Sequence, residues 1–159
     1  MRVIVGVADM KLSDRSGDVI VTHALGSCLG IAVYDPVAVV GGLLHVMMPA
    51  STINPDKARV NPYMFVDTGV PAFFHELYGA GGLKSRLVVK VAGGANVHGN
   101  NGDRFAVGKR NYITLKKMFW KNGILIDKEE VGGTVARTMY LEIGTGRVWL
   151  STAGQERDL

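Results

Sequence analysis

Short apolar runs bounded by Gly, Asp, Asn, Ser or Pro dominate the first fifty positions, a pattern that predicts strands. They cover Val3 to Val7, Val19 to Leu25, Leu29 to Tyr34 and Val39 to Met47, and a loop from Ala50 to Pro62 follows. Val66, Val70, Phe73, Phe74 and Leu77 then recur at helical spacing until Gly79-Ala80-Gly81-Gly82 stops the element. Pro71 leaves two starts open: near Asp67, with the proline in or just past the first turn, or near Asn61-Pro62 with a kink. Leu87 to Ala92 reads as a buried strand and Gly93 to Gly102 as a loop. A second helix is predicted from about Lys109 to Lys121, burying Tyr112, Leu115 and Phe119, showing Lys116 and Lys117 to solvent and capped by Asn122-Gly123. Ile124 to Val131, Thr138 to Ile143 and Arg147 to Ser151 read as strands. Thr152 to Leu159 have little to bury and are expected to fray. The expectation is a single α+β domain over residues 1–159, with two helices on layered mixed or antiparallel sheets.

Composition fits that picture. A chain of 159 residues with 47% apolar and 20% charged residues can bury a full core and is not disordered. No apolar run is long enough to span a membrane, and Arg2 to Ala8 meets Asp9 too soon for a signal peptide. A single cysteine excludes an internal disulfide framework and fits a reducing cytoplasm.

That cysteine, Cys28, lies in Gly26-Ser27-Cys28-Leu29-Gly30, and His45 follows 17 residues later in Gly42-Leu43-Leu44-His45-Val46-Met47-Met48-Pro49. Asp35-Pro36-Val37-Ala38 between them reads as a turn, so the segment is a β-hairpin. A turn centred between Pro36 and Val37 pairs Tyr34 with Val39 and sets Cys28 directly opposite His45. Thiol and imidazole would then share one sheet face. A histidine at that place can take the thiol proton, so the pair suits acyl transfer through a thioester. Thr22, on the preceding strand, is the candidate to orient the imidazole, and backbone N–H groups around Ser27 to Leu29 are the candidate oxyanion site. The residues alone leave a second reading open, in which Cys28 and His45 are merely packed in the core.

Leu25-Gly26-Ser27-Cys28-Leu29-Gly30-Ile31, the His45 block, Val91-Ala92-Gly93-Gly94-Ala95-Asn96-Val97 and Val107-Gly108-Lys109-Arg110-Asn111 together resemble, in the same order, the chemoreceptor glutamine deamidase family CheD. The resemblance implies an enzyme that converts receptor glutamines to glutamates, with hydrolysis of receptor glutamyl methyl esters as an added activity. It implies Cys28 as nucleophile, His45 as base and acid, and Thr22 as the support of the histidine. It also implies the phosphatase CheC as a partner competing with receptors. The rival readings are a cysteine peptidase or transglutaminase-like acyltransferase, and a binding module without catalysis.

Other signals fail. The glycines around Gly94 and Gly108 miss the phosphate-loop spacing, and Gly144-Thr145-Gly146 lacks the third glycine of a dinucleotide fingerprint. His75-Glu76 begins like a zinc protease motif, but Gly79 stands where the second histidine must be. No metal spacing, cofactor motif or nucleic-acid motif emerges, and no cofactor is expected. His23 rivals His45 as base, yet it neighbours Thr22 and so faces away from it in a regular strand. The net charge of +4 is modest, but Arg104, Lys109, Arg110, Lys116, Lys117 and Lys121 cluster around one acid, Asp103. Lys116, Lys117 and Phe105 are the candidate partner-binding residues.

Overall fold

A computed structural model describes residues 1–98 and 106–159. Among these the chain forms two five-stranded sheets and three α-helices. The strands are β1 (Arg2–Val5), β2 (Asp9–Ser13), β3 (Val19–Leu25), β4 (Leu29–Asp35), β5 (Val40–Val46), β6 (Val88–Gly93), β7 (Lys128–Val131), β8 (Arg137–Glu142), β9 (Val148–Thr152) and β10 (Gln155–Asp158). The helices are α1 (Pro55–Val60), α2 (Val66–Gly79) and α3 (Val107–Asn122). One sheet runs β1-β3-β8-β9-β10 and the other β2-β5-β4-β6-β7, each mostly antiparallel with one parallel pair. The α+β class is as expected.

The alternation along β4 and β5 sets the layers. Leu29, Ile31 and Val33 with Leu44 and Val46 point to α2 and α3, where Val70, Phe73, Leu77, Leu115 and Phe119 complete one core. Ala32, Tyr34 and Leu43 point the other way, against Ile20, Leu25, Met139 and Leu141 of the second sheet. The central sheet is therefore buried on both faces, which is why its strands read as near-continuous apolar runs.

The β4–β5 turn differs from the expected one. Asp35 pairs with Val40, so the loop is Pro36 to Val39, and the register is displaced by two residues from that of a turn centred between Pro36 and Val37. Asp35 causes this: its Oδ1 accepts from the N–H of Val37 at 2.9 Å and of Ala38 at 3.0 Å, building the loop around a carboxylate. Burial opposes ionisation of Asp35, but the Arg86 guanidinium and the backbone N–H donors hold it well below the usual carboxylate range. A shift of two residues keeps every side chain on its expected face, because the strand period is two.

α2 begins at Val66, one residue from the first of the two starts expected, with Pro71 just past its first turn and Val66 and Val70 buried. Other segments differ from expectation for identifiable reasons. The loop after residue 50 contains α1, started by Asn54, whose side chain accepts from the Lys57 N–H with Pro55 at the first helical position. The tail does not fray: β10 pairs with β9, and Arg157 binds Glu130 with Nε 2.7 Å from Oε1. Its anchors are charge pairing, a ladder and the partly buried Leu159 against the intersheet core. No helix among the described residues is long and apolar enough to cross a membrane.

Candidate active site

Thr22 and His45 meet between the two sheets. Thr22 lies on the inner face of β3 and His45 on the facing side of β5, with Thr22 Oγ1 2.7 Å from His45 Nδ1. Thr22 Oγ1 also donates to the Val5 carbonyl at 2.9 Å. A hydroxyl has one proton, and the carbonyl can only accept it, so the threonine oxygen must accept from His45 Nδ1–H. The imidazole is thereby held as the Nδ1–H tautomer, with a lone pair on Nε2. Among the described residues Nε2 has no hydrogen-bond partner, although it is buried.

The register across the hairpin puts Gly30, not Cys28, directly opposite His45. Cys28 is two residues earlier, just before β4, and packs against the same intersheet core that His45 faces. The direct opposition expected from the sequence is thus replaced by an offset of two residues, and the loop built on Asp35 is the reason. Gly30 suits its place beside the imidazole: a Cβ there would lie 2.7 Å from Leu25 Cδ1 and 2.8 Å from Met139 Sδ. Cys28 itself lies just outside β4 and is half-buried against the intersheet core.

The Cys28 segment is anchored through its carbonyls. Gly26 O accepts from Ala95 N at 2.8 Å and Cys28 O from Gly94 N at 2.9 Å. Gly93 makes that approach possible, since at its φ of 110° any Cβ would collide with the Cys28 carbonyl oxygen. Among the described residues no other residue engages the backbone N–H of Ser27 or Cys28 in a hydrogen bond, the Cys28 N–H meeting only its own thiol. Leu29, by contrast, is fully buried in the ladder between β5 and β6.

Burial sets the protonation states. It pushes the Cys28 thiol up, with its own backbone N–H opposing weakly, and pushes the His45 imidazole down to about 4. Thiol and imidazole both rest neutral near pH 7. Asp9 stands opposite His45 on the other neighbouring strand, but its carboxylate is committed to Lys11 Nζ at 2.8 Å and Gly6 N at 3.2 Å. The group that touches the imidazole is a neutral hydroxyl.

His23 is exposed beside a bulge where Thr22 pairs with Met139 but Leu25 with Arg137. It lies apart from the Thr22–His45 contact. Lys116 and Lys117 are exposed on α3, together with Trp120, which is 85% exposed. Phe105 lies outside the described residues. Among the described residues no cluster of His, Cys, Asp and Glu could hold a metal ion. Buried polar residues near the site that received no role from sequence include Asn111, and Arg137, whose Nη1 reaches Gly93 O at 3.2 Å. Asn111 had two available signals, as a polar residue inside the apolar face of a predicted helix and as the last residue of a block that carries the family resemblance. Arg137 had none.

The fold and site define a layered α+β domain in which a threonine-held imidazole and the lone cysteine both face the space between the sheets. The chain belongs to the CheD family: the family model described as CheD chemotactic sensory transduction matches residues 47–152. It is 48% identical over 158 residues to the "Probable chemoreceptor glutamine deamidase CheD" of Solibacter usitatus, covering 99% of this chain and 93% of that one. The similarly named CheD 1 of Syntrophus aciditrophicus is 46% identical, with 96% and 94% covered. The Thermococcus kodakarensis relative, also named as a chemoreceptor glutamine deamidase, is 38% identical, with 93% and 91% covered.

Proposed function

We propose that residues 1–159 form one catalytic unit that deamidates glutamines in the cytoplasmic helical region of chemoreceptors. The names of the relatives support the substrate, and one geometric observation carries the chemistry. Thr22 fixes the His45 tautomer that leaves Nε2 free as a base on the face shared with Cys28.

In this reading His45 Nε2 takes the Cys28 thiol proton as sulfur attacks the glutamine carbonyl carbon. The carbonyl oxygen becomes an oxyanion beside the N–H groups of Ser27 and Cys28, which no other described residue engages; Leu29, held in the ladder, is the weaker donor of the original set. Collapse breaks the C–N bond, and Nε2–H supplies the proton with which ammonia leaves. Water then attacks the thioester, giving a proton to Nε2, and the products are a glutamate side chain and the restored thiol. A glutamyl methyl ester enters the same cycle with methanol as leaving group. Every proton and electron pair is accounted for by thiol, imidazole, substrate and water, so the cycle uses no cofactor.

The test is peptide-mapped mass of a receptor cytoplasmic fragment after incubation with the protein. Deamidation adds about one dalton at particular glutamines without cleavage, whereas a peptidase cuts the chain and an acyltransferase crosslinks it. An unchanged fragment would favour the binding-module reading instead.

Thr22 is placed as an orienting group, so Thr22→Val is expected to lower kcat by about 10²-fold with little change in KM, since a lost constraint on geometry acts on the chemical step. Thr22→Ser, which keeps the hydroxyl, is expected to recover most of the rate. Steady-state kinetics on the receptor fragment decide, and a Thr22→Val enzyme with wild-type kcat would remove the threonine from the account.

The receptor contact is assigned to α3. Its sixteen residues contain no acid, and Lys116 and Lys117 lie on the exposed side with Ile113 and Trp120, an apolar strip between basic flanks. Such a face suits an acidic helical surface. Lys116→Glu with Lys117→Glu is expected to raise KM for the receptor fragment about fivefold or more at low salt while kcat holds. The family partner CheC is proposed to compete at the same side of the molecule, with Phe105 contributing. CheC affinity that survives the double charge reversal would count against the basic face.

A further inference from the structure

Beyond Val46 the two strands of the hairpin separate. The N–H groups of Met47 and Met48 both turn to Met64 O, at 2.9 and 3.0 Å, so β5 leaves the ladder just where Cys28 would otherwise be paired. The gap is bridged by one side chain. Asn111, fifth residue of α3 and fully buried, directs its Nδ2 to Ser27 O at 3.0 Å and to Met47 O at 2.9 Å. Both acceptors are carbonyls, so the amide orientation is fixed and both of its N–H bonds are used.

We infer that Asn111 is a positioning residue for the proposed reaction, its carboxamide replacing a rung of the β4–β5 ladder and holding Cys28 in place relative to His45. With it, three successive carbonyls of the Cys28 segment are tied down. Gly26 O and Cys28 O are held from the Ala95 and Gly94 side, and Ser27 O is held from α3. The helix that carries Asn111 is itself fixed to the same loop: a Cβ on Gly108 would lie 2.6 Å from the Gly94 carbonyl carbon, so only glycine allows this approach.

The brace acts across the strands as well as along them. Met47 is two residues past His45 and Ser27 one residue before Cys28, so a single carboxamide joins the ends of the segments bearing base and thiol. It is the one direct side-chain link between them among the described residues. Among the described residues Asn111 Oδ1 is buried with no partner, so the brace uses only the donor half of the amide. An ordinary ladder rung would close the strands and draw Cys28 into a paired strand. An amide keeps them apart and still fixed.

The inference rests on the reading of Cys28 and His45 as the reacting pair, and two readouts separate its failure from the failure of that reading. The first is a crystal structure of Asn111→Ala. The Cys28 sulfur is expected to move about 1 Å or more relative to His45 Nε2, the scale at which misplacement of reacting groups costs about 10²-fold. The second is kinetics on the receptor fragment: kcat is expected to fall by about 10²-fold with KM within about threefold, and Asn111→Ser, which keeps one donor, to recover part of the rate. A sulfur that stays in place, or a folded Asn111→Ala with wild-type kcat, overturns the inference. Wild type without deamidase activity overturns the proposed function, and the displacement then still decides whether Asn111 is the brace. Should Asn111→Ala not fold, Asn111→Ser carries both readouts. Failure of both to fold would assign Asn111 to stability alone and sink the positioning role.

Discussion

Cys28→Ala is expected to abolish glutamine deamidation, lowering the rate on the order of 10⁴-fold or more, while the protein remains folded. Without sulfur no thioester forms, and the imidazole has no proton to accept from a nucleophile. The structural cost is small, because Cys28 is half-buried at a strand end and its anchoring bonds run through backbone carbonyls that alanine retains. Cys28→Ser is the sharper variant. Its hydroxyl is a far weaker acid than a thiol that burial has already raised, so with a neutral imidazole as base it is expected to be nearly as inactive. Mass analysis of the receptor fragment reads both, beside a thermal melt to establish the fold. Activity surviving in Cys28→Ala would leave the cysteine as packing.

His45→Gln carries the second largest effect, a fall in kcat of about 10³-fold, because general acid–base assistance is lost in both halves of the cycle. The same variant has a signature in stability. Burial holds the His45 imidazole down to about 4, against 6.5 for the ordinary side chain. Between those values the unfolded chain binds a proton that the folded protein refuses, so folding stability falls as pH drops from about 6.5 to about 4. The loss is on the order of 3 kcal/mol, complete near the folded value and absent above pH 6.5. His45→Gln removes that slope. Urea unfolding at pH 7 and pH 5 is expected to show wild type weakening and the variant nearly level. For activity, the neutral imidazole persists from about pH 5 upward, so kcat/KM of the wild type should hold on the acid side well below the pH at which a solvent-exposed histidine would charge.

Parity made the proposed reacting residues legible in the sequence. Strand period two put Cys28 and His45 on one face under any register displaced by an even number of residues, so the two-residue difference imposed by the Asp35 loop did not separate them. Thr22 was legible for the same reason: alternation along β3 turns it inward and His23 outward. What remained hidden depends on contacts distant in sequence. Asn111 acts across 84 residues on Ser27 and 64 on Met47, and no local pattern encodes such a partner. β2 was missed although Met10 and Leu12 alternate with Asp9, Lys11 and Ser13, because two apolar residues in a five-residue edge strand are a short signal. β10 was missed because Glu130, far earlier in the chain, supplies the charge that holds Arg157. The start of α2 at Val66 agrees with the expected start near Asp67 and excludes the one near Asn61-Pro62.

The claim on which the account depends is that the thiol of Cys28, assisted by His45, attacks a receptor glutamine, and a covalent intermediate tests it most directly. Wild type mixed with a chemoreceptor cytoplasmic fragment and quenched in acid would be analysed by intact mass. The account predicts an adduct equal to both chains less about 17 Da of ammonia, mapped to Cys28, cleaved by hydroxylamine and absent from Cys28→Ala. A fragment that gains about one dalton at its glutamines with no such adduct, and equally with Cys28→Ala, would contradict it.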